Sequence, residues 1–78
     1  MNINEFTKLI KDLYDESDSF EMTPETDFRT IETYDSLTGW TIMSEILDKF
    51  GIEIKPEEFA NLHTVKEIFD FVEDKKKK

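Results

Sequence analysis

Residues 36 to 50, Ser-Leu-Thr-Gly-Trp-Thr-Ile-Met-Ser-Glu-Ile-Leu-Asp-Lys-Phe, put Gly39, Ile42, Met43, Ile46 and Phe50 on one arc at about 100° per residue. An aspartate, Asp35, stands before the run and a glycine, Gly51, after it. A short acceptor at the start and a residue free to turn left-handed at the end delimit a helix at both ends. The apolar arc requires other elements to cover it. This one segment therefore commits the chain to helix-on-helix packing.

Two further periodic stretches supply the cover. Ile3, Phe6, Ile10, Leu13 and Tyr14 recur at three- and four-residue spacing, so a first helix is expected from Asn2 or Asn4 to Tyr14. Thr64-Val65-Lys66-Glu67 is a capping box, opening a last helix with Val65, Ile68, Phe69 and Val72 inward. Pro56-Glu57-Glu58 opens a short helix, with proline already at a helical φ and acids at the positive end of the dipole. Ile52 and Ile54 alternate like a strand, but two residues make no sheet and are read as loop anchors. Residues 15 to 35 show no sustained period; Phe20, Met22, Phe28 and Ile31 are expected to pin this loop to the core, and Thr23-Pro24 to form a short helical turn. The expected fold is all-α: three longer helices, one short helix, and a long loop between the first two. One domain is expected over residues 1–74, followed by a frayed lysine tail at 75–78.

Composition narrows the function classes. No cysteine is present, which excludes disulfides and thiolate-bound metals, and the single histidine, His63, cannot build a cluster. His63 is read as a helix-junction residue. No metal site and no catalytic set is expected: Asp15-Glu-Ser-Asp-Ser-Phe puts Phe20 where a calcium loop needs glycine, and the adjacent Glu57 and Glu58 diverge on a helix. The net charge is -9; removing the four closing lysines from ten basic side chains leaves 6 against 19 acids, a net of -13 for residues 1–74. Such a surface repels nucleic acid and anionic membranes and favours basic patches on proteins. Neither a membrane-length apolar run nor a signal-peptide pattern occurs, so a cytoplasmic protein is expected; a monomer is expected as well.

Ser36 falls in the first turn of the second helix, where amide donors and the positive dipole end suit an attached phosphate. By itself this is also where an ordinary helix-start serine sits. Asp35-Ser36-Leu37 is followed by Phe50-Gly51-Ile52-Glu53-Ile54, Pro56-Glu57-Glu58-Phe59 and Leu62-His63-Thr64-Val65, and preceded by Thr26-Asp27-Phe28-Arg29. Together these resemble the acyl carrier protein family, from about Phe6 to Val72. The resemblance implies that Ser36 carries 4'-phosphopantetheine, donated from coenzyme A by a separate phosphopantetheinyl transferase. Asp35 and Leu37 would flank it as recognition residues, and Leu37, Trp40 and Leu47 would meet partners that load and process acyl or aminoacyl thioesters. For Trp40 and Leu47, peripheral core packing is the competing reading. Such a chain is a carrier and a substrate of the transferase, with no catalysis of its own. It departs from fatty-acid carriers in having few acids on the second helix (Glu45 and Asp48), Tyr34 before Asp35, and no glycine two residues before the aspartate. An aminoacyl carrier of the same fold and an unmodified acidic adaptor remain the alternatives.

Overall fold

The computed structural model describes residues 2–77. Four α-helices form a bundle: α1 (Ile3–Lys11), α2 (Ser36–Phe50), α3 (Pro56–Phe59) and α4 (Val65–Lys76). Two single 3-10 turns, Ser17–Ser19 and Phe28–Thr30, interrupt the loop between α1 and α2. No strand occurs among the described residues; an isolated bridge joins Asp27 to Thr64.

Each helix begins where a side chain can serve its free amides. The Asn2 side chain accepts from the Glu5 amide at 2.9 Å, and Glu5 accepts in return from the Asn2 amide at 3.1 Å. Asp35 caps α2 through the Thr38 amide at 2.8 Å, and Gly51 closes it at φ 69°. At α3, Glu58 accepts from the Lys55 amide at 3.1 Å. Thr64 and Glu67 form the expected reciprocal box on α4, and Glu67 also accepts from the His63 amide at 2.7 Å. The amides of His63 and Thr64 hold the Glu67 carboxyl below the usual carboxylate range. A depressed folded-state value stabilises the fold above the ordinary glutamate pKa, and the contribution is lost as pH falls through the lowered value. Thermal melts should show wild type above Glu67→Gln at neutral pH, with the gap closing below about pH 4. Taking the difference removes the general effect of neutralising so acidic a surface. A gap independent of pH would contradict this origin.

The core runs through Phe6, Ile10, Phe28, Ile42, Ile46, Val65, Ile68 and Val72, all at most 1% exposed. α1 packs on α4, where the Phe6 and Phe69 rings meet edge-on at 5.3 Å. Ile54 is buried and Ile52 packs against the core, as loop anchors should. The long loop is likewise pinned by Phe28, with Phe20, Met22 and Ile31 packed around it.

Three expectations change. α1 ends at Lys11 rather than Tyr14: the Leu13 and Tyr14 amides bond three residues back, to Ile10 and Lys11. Tyr14 is instead drawn inward as a tether, donating from its hydroxyl to the Phe28 carbonyl at 2.6 Å. Burial, reinforced by Tyr34 and Asp27, pushes its phenol well above the usual range, so it stays a donor. Thr23-Pro24 forms a turn closed by the Thr26 amide on the Thr23 carbonyl at 3.0 Å, without a helical turn. Finally, α4 extends into the lysine tail. Lys75 reaches Glu58 at 3.9 Å and Lys76 reaches Glu73 at 3.5 Å; Lys77 follows as the cap, and Lys78 lies outside the described residues.

Candidate functional site

The start of α2 is fixed by three contacts. Asp35 accepts from both the amide and the hydroxyl of Thr38, at 2.8 and 3.0 Å, while its carbonyl takes the Gly39 amide at 3.1 Å. Those Thr38 bonds, with a smaller contribution from the Leu37 amide, hold the Asp35 carboxyl below its ordinary range, so it is fully ionised at neutral pH. Ser36 is then the first helical residue, exposed, and its hydroxyl makes no hydrogen bond to the described residues. A nucleophilic oxygen is thereby presented to outside reagents on a rigid helix end, beside amides that favour an anion.

Ser36 lies at a groove of about 230 Å³ between α2 and α3. Tyr34, Gly39, Trp40 and Met43 line one side, and Pro56 and Phe59 the other. Beyond Trp40 and Met43 a smaller hollow of about 100 Å³ continues to Leu47 and Ile54. Gly39 is what lets these walls come together: a Cβ there would lie 2.8 Å from the Tyr34 hydroxyl and 3.3 Å from the Phe59 ring. A separate cavity of about 650 Å³, against Glu16, Phe20 and Thr33, shares no residue with this groove and lacks Ser36. Its greater size therefore gives it no part in the chemistry at Ser36.

Leu37, Trp40 and Leu47 are 72%, 60% and 51% exposed, which replaces the core-packing reading of Trp40 and Leu47 with a surface position. Trp40 still borders the groove, whereas Leu37 lies outside its lining. His63 sits at the α3–α4 junction, its carbonyl taking the Phe28 amide at 3.2 Å.

Arg29 was the residue hardest to anticipate as part of the site. It lies seven positions before Ser36, yet its guanidinium donates to the carbonyls of Leu62 at 2.7 Å and Phe59 at 2.5 Å and so becomes a wall of the same groove. It is the only arginine in the chain and stands in the Thr26-Asp27-Phe28-Arg29 stretch, but neither fact places it at the groove.

Residues 4–72 match the model of the family described as "Phosphopantetheine attachment site". The acyl carrier protein of Micrococcus luteus is 39% identical over 56 residues, covering 72% of this chain and 69% of the relative. That of Myxococcus xanthus is 40% identical over 55 residues, covering 70% of each. That of Thermosynechococcus vestitus is 30% identical over 78 residues and covers 96% of each. With a family match along most of its length, relatives that span its helices and a capped serine beside a groove, the chain belongs to the acyl carrier protein family.

Proposed function

We propose that the protein is a freestanding, monomeric carrier whose Ser36 bears 4'-phosphopantetheine and whose terminal thiol holds acyl groups as thioesters for partner enzymes. The observation that carries this reading is the exposed, unbonded Ser36 hydroxyl at a capped helix start, opening directly on a groove. In the attachment step the Ser36 oxygen bonds to phosphorus of the coenzyme A pyrophosphate. The P–O–P bond breaks, adenosine 3',5'-bisphosphate leaves, and the serine proton passes to a base of the transferase. The chain's own part is to present the oxygen, with Asp35 and Leu37 flanking it for recognition.

Docking is assigned to the exposed trio Leu37, Trp40 and Leu47 within an acidic surface, which favours fast, reversible encounter with basic partners. No helix among the described residues is long and apolar enough to cross a membrane. Incubation with coenzyme A, magnesium and a broad-specificity transferase, read by intact mass, should add one phosphopantetheine. A chain left unmodified by several transferases would favour the adaptor reading.

Trp40 supplies a second check. Because most of it faces solvent, Trp40→Ala should cost no more than about 1 kcal/mol in a urea titration, well short of the ~3–5 expected for a buried aromatic. Loading and partner turnover should fall more than stability does. Normal kinetics in a folded Trp40→Ala variant would make it an ordinary surface residue.

A further inference from the structure

The groove beside Ser36 is lined mainly by apolar side chains, and Arg29 and Tyr34 both bring polar groups to its wall. Arg29 is held at several points: its guanidinium lies against both the Phe28 and Phe59 rings, 5.0 and 5.1 Å from their centroids, and donates to two carbonyls. One of its terminal nitrogens also lies 3.4 Å from His63 Nδ1. A guanidinium has five N–H groups, and these contacts use at most three. Among the described residues no carboxylate oxygen lies within ion-pair distance of it. In a body this acidic, an arginine paired only with carbonyls and rings is an uncompensated cation on a groove wall. Tyr34 adds a second donor: its hydroxyl sits against Gly39, three residues beyond Ser36, and makes no hydrogen bond to the described residues.

Resting on the carrier reading above, we infer that Arg29 and Tyr34 form a carboxylate-binding subsite, and that the cargo is a short acyl group bearing a free carboxylate. A carboxylate accepts hydrogen bonds at both oxygens and pairs with a guanidinium in a way that a plain hydrocarbon cannot. The groove's modest volume suits a chain of a few carbons. The arm's own phosphate is the other anion available, but it is bonded to Ser36 at the helix start. Both donors belong to the groove wall, along which the flexible arm can fold its thioester end back. Around the subsite the other titratable groups include Tyr14, whose ring lies 6.3 Å from that of Tyr34, His63 from the α3–α4 connection, and Asp27 and Asp35 from the loop; Asp27 is turned to the Arg29 amide at 3.0 Å and Asp35 to Thr38.

The test loads Ser36 with succinyl-phosphopantetheine, labelled with carbon-13 at the free carboxyl, and titrates that carboxyl by NMR. An unbound carboxylate near so acidic a body titrates at or above the value of free succinyl-pantetheine, whereas one beside Arg29 titrates below it, by about one unit. Arg29→Gln should abolish the lowering, Arg29→Lys should keep part of it, and Tyr34→Phe should reduce it. Tyr34→Phe removes only a hydroxyl that bonds no described group, so it carries the test if Arg29→Gln unfolds. A carboxyl titrating at or above the free value on loaded protein overturns the subsite alone. So does a phosphorus-31 shift in the cargo-free form that responds to Tyr34→Phe or Arg29→Lys while the carboxyl does not, because the bound anion is then the arm's phosphate. Failure of Ser36 to accept any phosphopantetheine overturns the carrier reading and the subsite with it.

Discussion

Phe28→Ala should remove a large share of the molecule's stability, more than any substitution of an exposed side chain. The ring is fully buried and touches Phe59 at 5.4 Å and Tyr34 at 5.9 Å, so it joins the loop, the approach to α2 and the short helix α3. It also carries Arg29 on one face, while its backbone takes the Tyr14 hydroxyl and gives its amide to His63. Truncating a buried phenylalanine costs about 3–5 kcal/mol, and a chain of this length has roughly 4–12 to lose at 0.05–0.15 kcal/mol per residue. A urea titration should therefore show a large fall in midpoint with little change in slope. A shift worth less than about 1 kcal/mol would mean that the loop folds independently of the core.

That weight on a loop residue explains how the fold was legible in the sequence. α2 and α4 follow from period and caps, because Asp35, Gly51 and Thr64 each meet a need that only helix ends have. The end of α1 was not legible: nothing at Asp12 breaks a helix, and Tyr14 leaves it because of a carbonyl fourteen residues away. The loop's path depends on equally distant partners, with the Val65 and Lys66 amides bonding the carbonyls of Thr26 and Pro24.

The site divides in the same way. Asp35 and Ser36 are legible because capping is local. The groove is made by three segments far apart in the chain, and no spacing rule brings Arg29 to Phe59. Gly39 falls on the core arc in the sequence, but what its missing Cβ makes room for depends on Tyr34 and Phe59. The glycine admits these two side chains, and they are walls of the groove.

Ser36→Ala has the other large effect, and it is chemical. The hydroxyl is exposed and bonds no described residue, and alanine is the best helix former, so stability should change by no more than about 0.5 kcal/mol. Asp35 still caps the helix and the groove is unaltered, yet every acceptor atom for the arm is gone. Attachment should fall from complete to undetectable in a protein whose melting curve is unchanged. Tandem mass spectrometry of the transferase-treated wild-type chain places the adduct on a residue. One phosphopantetheine is expected, on Ser36. An adduct on Ser17, Ser19 or Ser44, or attachment that persists in folded Ser36→Ala, would contradict it.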